Sequence, residues 1–231
     1  MYAKKEVFAP LLGFLLSGVL GTGPAGALTI DNINDDFTIN WFLAKGGSDN
    51  DGSGPAPFDL KAQATFAITA ISNTSATLLL TLMNQTTPPA GQNSGITSFG
   101  IGVNPNAPGR TFTDTPDAGF TNAVIHHGHQ HYPGGFKNIA VCVFTQGCSG
   151  GGQPTALAAG ASDTFTLVIV GAFTGHPVTL APFPIKFQTS GGSFEFAGIE
   201  DINPAPEPGT GLLLSSGLIG LGLTRWRKRA T

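Results

Sequence analysis

Between residues 65 and 83 apolar side chains recur at every second position, and this period constrains the chain more than any other feature. Phe66, Ile68 and Ala70 alternate with Thr65, Ala67 and Thr69. Asn73-Thr74-Ser75 intervenes, and Ala76, Leu78, Leu80 and Leu82 then alternate with Thr77, Leu79, Thr81 and Met83. Successive side chains of an extended strand point to opposite faces, so a period of two buries one face, whereas a helix repeats every 3.6 residues. The segment therefore predicts a β-hairpin turning at Asn73-Thr74-Ser75. Further strands are expected at 37–42, 96–103, 139–144, 164–170, 185–189 and 194–199, separated by Gly-, Pro- and Asn-rich turns. Trp41 and Phe42 fall in the first of these and are assigned to a strand and its core. Only 155–161 has a helix-like composition, and Gly160 lies inside it. The expected fold is all-β: an antiparallel β-sandwich or jelly roll of about eight strands, without internal repeats.

Composition agrees. Of 231 residues, 11% are charged, while Gly (33), Pro (17) and Phe (17) are abundant, which argues against a cytosolic helical protein. Most of the basic residues at the ends are set apart from the body, Lys4 and Lys5 at one end and Arg225, Arg227, Lys228 and Arg229 at the other. Residues 7–224 hold five basic side chains (Lys45, Lys61, Arg110, Lys137, Lys186) against thirteen acidic ones, a formal charge of −8. Such a body lacks the positive footprint that holds nucleic acid, and that class is set aside.

Residues 1–27 read as a secretory signal peptide. Lys4 and Lys5 form its positive start, an apolar run follows, and Ala25-Gly26-Ala27 places small residues where a signal peptidase reads them. Gly13, Gly18, Gly21, Gly23 and Pro24 argue against the alternative of a buried N-terminal helix. The domain follows at 28–203, long enough for one core, and 204–231 form a separate tail. In the tail, Pro206-Glu207-Pro208 precedes an uncharged stretch over 209–224, which is followed by Arg225-Trp226-Arg227-Lys228-Arg229. As a helix, that stretch would rise about 1.5 Å per residue and fall somewhat short of a hydrocarbon core of about 30 Å. Trp226 and the long basic stems would bridge the shortfall, and the terminal cations would keep that end cytoplasmic.

The order Pro206, Glu207, Pro208, a short transmembrane span, then Arg225, Arg227, Lys228 and Arg229 resembles the PEP-CTERM sorting signal over 206–231. The resemblance implies recognition by an exosortase-type membrane protease and a transient stay in the inner membrane of a Gram-negative bacterium. It further implies release to the cell surface or extracellular matrix, in association with exopolysaccharide or matrix proteins. The Leu-Pro-x-Thr-Gly of a sortase tail is absent, and a GPI tail would lack the basic cluster. An anchor that is never cut remains the alternative.

Cys142 and Cys148 are the only cysteines. An even count in an exported chain suggests a disulfide, worth about 2 kcal/mol for so small a ring; two free thiols are the alternative. A cysteine pair in such a β domain is also similar to the cistern-family subgroup of PEP-CTERM proteins.

Four of the five histidines lie in His126-His127-Gly128-His129-Gln130-His131. On an extended strand His127, His129 and His131 would share a face able to bind Zn²⁺, Cu²⁺ or Ni²⁺. A polar surface loop, or loose metal binding without a folded site, explains the tract equally. Asp49-Asn50-Asp51-Gly52 matches part of a calcium loop, but Leu60 stands where the bidentate Glu belongs, so a flexible loop is expected. Asn73 and Asn84 open glycosylation sequons. The chain has no G-x-S-x-G elbow, no H-E-x-x-H and no Gly-rich phosphate loop. Asp163, Glu195, Glu200 and Asp201 are carboxylates that a glycoside hydrolase would need in pairs, but surface solvation is the expectation for them. The function expected is that of a non-catalytic surface or matrix protein, with a metal-binding module as the alternative and a carbohydrate-active enzyme behind both.

Overall fold

The computed structural model describes residues 27–33, 35–50, 54–114, 119–125, 132–175 and 177–201. The strands are β1 (Leu28–Ile30), β2 (Phe37–Leu43), β3 (Leu60–Ile71), β4 (Ser75–Asn84), β5 (Ser94–Ile101), β6 (Val103–Asn104), β7 (Gly109–Asp114) and β8 (Asn122–Ile125). They continue with β9 (Val141–Phe144), β10 (Leu157–Ala158), β11 (Ser162–Val170), β12 (Val178–Leu180), β13 (Pro184–Thr189), β14 (Gly192–Ala197) and β15 (Ile199–Glu200). All their pairings are antiparallel. One six-stranded sheet runs β15-β2-β3-β4-β11-β7, a second runs β14-β13-β5-β9-β8 with β10 also on β5, and a small third runs β1-β12-β6.

The alternation in the sequence becomes the first sheet. Phe66 and Ile68 of β3, Leu78, Leu80 and Leu82 of β4, and Phe165, Leu167 and Ile169 of β11 are all buried. Ser72 closes the β3–β4 hairpin, its backbone N–H donating to the Ser75 carbonyl at 2.8 Å. The second sheet turns Ile96, Phe99, Val141, Val143, Ile185, Phe187, Phe194 and Phe196 into the same core. Trp41 Nε1 donates to the Phe183 carbonyl at 2.8 Å, Phe66 meets Phe183 at 5.7 Å, and Phe99 meets Phe165 at 6.0 Å. Each buried Phe contributes about 1.5–3 kcal/mol relative to exposure.

All eight residues of β5 are buried, because the second sheet is covered on both faces. Its outer side carries a small cluster of Tyr132, Ile139 and Cys142, against which Val124, Phe136, Phe144 and Cys148 pack. A register shift where Lys186 and Phe187 oppose Ser98 and Ile96 makes Thr97 an extra residue, so strict alternation fails along this strand.

Three expectations need correction. Residues 155–161 form no helix. Gln153–Thr155 is a single 3₁₀ turn, and Leu157 is drawn into a bridge with Ile96 on the part of the β5 edge that β9 leaves open. The strands outnumber the eight expected because β1, β6, β8, β10, β12 and β15 are too short to show a period, and β7 has no fully buried position. Phe42 is in a strand but not in the core: it is 58% exposed, with Lys61 Nζ lying 5.3 Å from its ring centroid.

Candidate functional site

Two surfaces of the domain carry organised polar groups. The first is the outer face of the β2-β3-β4-β11 sheet. Because each strand alternates, every second residue faces outward, and the register aligns them into rows. Thr38, Thr65, Thr81 and Thr164 stand side by side on four neighbouring strands, at the strand spacing of about 4.8 Å. Thr81 and Thr164 are hydrogen bonded, Oγ1 to Oγ1 at 2.9 Å. In the next row Gln63 donates to the Asn40 side-chain carbonyl at 2.9 Å, and Gln85 donates to Gln63 at 3.4 Å. Leu79, Met83 and Val170 are exposed among these hydroxyls and amides. Lys61 is the one charge that these four strands turn outward, and Asp59 lies 3.7 Å from it. A groove of about 250 Å³ opens on this face between Asp36, Thr38, Thr65, Ala67, Leu79 and Thr81.

The second surface is hidden. On the outer side of the second sheet, Ser98, Lys186 and Glu195 form one row across β5, β13 and β14. Lys186 and Glu195 are ion paired, with side chains 9% and 0% exposed. Ser98 Oγ donates to the Cys148 carbonyl at 3.0 Å and lies 3.0 Å from the Tyr132 hydroxyl. A serine has a single proton to give, so Tyr132 is the donor to Ser98. Burial pushes the Tyr132 phenol well above its ordinary value of 10.0, and the nearby Glu195 charge adds to that shift. The Cys142–Cys148 disulfide holds the loop whose carbonyl Ser98 binds. Gly134 packs over Glu195: its φ is 75°, and a Cβ there would sit 2.6 Å from the Glu195 Cβ. Asn50 N–H donates to the Glu195 carbonyl at 2.9 Å and Glu195 N–H donates to Asp49 at 3.3 Å, so the 45–50 segment is tied to the sheet at this end.

The residues singled out from the sequence fall unevenly. Cys142 and Cys148 are joined. His127, His129 and His131 lie outside the described residues, as do Asp51, residues 1–26, and Pro206, Glu207, Pro208, Arg225, Arg227, Lys228 and Arg229 of the tail. Among the described residues no helix is long and apolar enough to cross a membrane, and no three His, Cys, Asp or Glu side chains are placed to hold a metal.

Surface solvation fails for two of the four carboxylates. Glu195 and Asp163 are both buried, and Asp163 accepts the Phe120 N–H at 2.6 Å. They belong to different sheets. Asp163 is on the core side of the first and Glu195 on the covered side of the second, so the fold does not bring them together as an acid–base pair. Glu200 is half-buried and Asp201 exposed. The Asn84 sequon is equally hidden: its side chain donates to the Leu157 carbonyl at 3.0 Å. Sequence reasoning missed Lys186, Ser98 and Tyr132, although a signal existed. Ile185-Lys186-Phe187 and Phe194-Glu195-Phe196 each set one charge between core residues, opposite in sign and on adjacent strands. Comparison of the chain with protein-family models, curated proteins and solved structures found no match.

Proposed function

We propose that this chain is an exported bacterial surface or matrix protein whose β-sandwich domain acts by contact, without a catalytic step. The two six-stranded sheets are its layers. The observation that carries the reading is the nearly charge-free outer face of β2, β3, β4 and β11, with its row of Thr38, Thr65, Thr81 and Thr164. A surface of hydroxyls, amides and short apolar side chains on which Lys61 is the one charge these strands turn outward suits contact with an uncharged polymer, because few ions must be desolvated to reach it. The ends supply the address: 1–27 for export, and the Pro206-Glu207-Pro208 tail for PEP-CTERM-type sorting by an exosortase-type protease. The disulfide supports an oxidising destination.

Two measurements test this. Intact-mass analysis of membrane and extracellular fractions should find a form beginning near Leu28 and ending near Pro208; a cytoplasmic species retaining Met1 and Arg229 overturns the address. For the contact face, Thr65→Lys with Thr81→Lys should abolish co-sedimentation with the cells' own extracellular polymer. Unchanged retention of that folded variant overturns the binding surface.

A further inference from the structure

We propose that Lys186 and Glu195 are joined by an intramolecular isopeptide bond, formed between them with loss of one water. The two residues are directly opposed on β13 and β14, and their side chains meet in a site closed to solvent. On one side Ser98 occupies the neighbouring position of the row, with the Tyr132 hydroxyl on it. On the other, the backbone at Gly134 lies against the Glu195 stem. These groups exclude water without themselves carrying charge, and the one carboxylate nearby, Asp49, accepts the Glu195 backbone N–H at 3.3 Å.

Enclosed ions of this kind cost several kcal/mol each to withdraw from water, and passing one proton from the ammonium to the carboxylate removes both charges. A neutral primary amine then faces a carboxylic acid. The Nζ lone pair attacks the Glu195 Cδ, the N–C bond forms, the C–OH bond breaks, and the hydroxyl leaves with a proton from nitrogen as water. The step is redox-neutral and needs no further reactant. Holding the two groups in contact is equivalent to an effective concentration of about 10⁵ M or more. In open water the reverse reaction is favoured because its products are solvated ions, and here those ions would have to form where little water reaches them. Lys61 and Asp59 provide the contrast within the same chain: they lie 3.7 Å apart, half-exposed, and remain an ordinary ion pair.

The test is peptide mapping of the full-length wild-type protein, reduced, denatured and digested with trypsin. Trypsin cuts after a free lysine and not after an acylated one. No Lys or Arg lies between Phe187 and Arg225, or between Asn138 and Lys186. The expected product is one fragment running from Asn138 through Phe187 and onward, lighter than its sequence by one water, while cleavage after Lys61 is complete. In Glu195→Ala, cleavage after Lys186 should return and the missing water with it. Recovery from the wild type of a fragment beginning at Phe187, with Glu195 of normal mass, overturns the proposal whether or not the variant folds.

Discussion

Replacing Tyr132 by Phe should leave the protein weaker at neutral pH and relatively stronger above pH 10. The hydroxyl is buried and donates to Ser98, so removing it loses one hydrogen bond, about 0.5–1.5 kcal/mol. The pH effect has a definite sign. In the unfolded chain the phenol ionises near 10.0, whereas burial raises the folded value well above that. Above pH 10 the unfolded state releases a proton that the folded state retains, so stability falls as pH rises. The contribution is complete below pH 10 and is lost between there and the folded value, at about 1.4 kcal/mol per pH unit. By pH 11 the wild type should have lost roughly this amount relative to Tyr132→Phe, closing or reversing the neutral-pH gap. Urea unfolding at pH 8, 9, 10 and 11 measures the difference. The only other tyrosine is Tyr2, so the wild-type minus variant ultraviolet spectrum isolates the Tyr132 phenolate. Parallel loss of stability in the two proteins, or a Tyr132 phenolate appearing near pH 10 while the protein is still folded, would refute the reasoning.

Three further outcomes follow from the packing. Trp41→Phe removes the donor that reaches the Phe183 carbonyl at 2.8 Å and should cost about 1–3 kcal/mol in urea denaturation, because the carbonyl stays buried. Gly134→Ala combines a left-handed φ of 75° with a contact of 2.6 Å. It should destabilise by at least about 1 kcal/mol, seen as a lowered melting temperature, whereas Gly91→Ala, with φ of 79° and open space around it, should pay only the backbone strain. Reducing Cys142–Cys148 should lower unfolding free energy by about 2 kcal/mol, and Cys142→Ala with Cys148→Ala should be insensitive to reductant.

The β3–β4 hairpin was legible in the residues themselves, because a strand with one wet and one dry face writes its period into the chain. β2 and β11 were legible for the same reason, and the cysteine pair because two cysteines in the whole chain leave one possible partner for each. The second sheet was legible only in part: strands were expected at 96–103, 139–144, 185–189 and 194–199 and are found there as β5, β9, β13 and β14, but not how they are covered. β5 is covered on both sides and bulged at Thr97, so no alternation marks which of its faces carries the core. β10 was not marked as a strand because its composition is helix-like, whereas the open edge of β5 offers Leu157 a pairing that local preference does not show. Phe42 was misplaced by one step of the same period, which sent Trp41 inward and its neighbour outward. By itself, then, the sequence determined the all-β class and the β3–β4 hairpin. Only the tertiary structure decided that Lys186, Glu195, Ser98 and Tyr132 meet. Lys186 and Glu195 face each other on one hairpin, but Ser98 and Tyr132 come from a strand and a loop distant along the chain, and what brings them to the pair is register between strands and cover by a loop, neither of which is a local property of sequence.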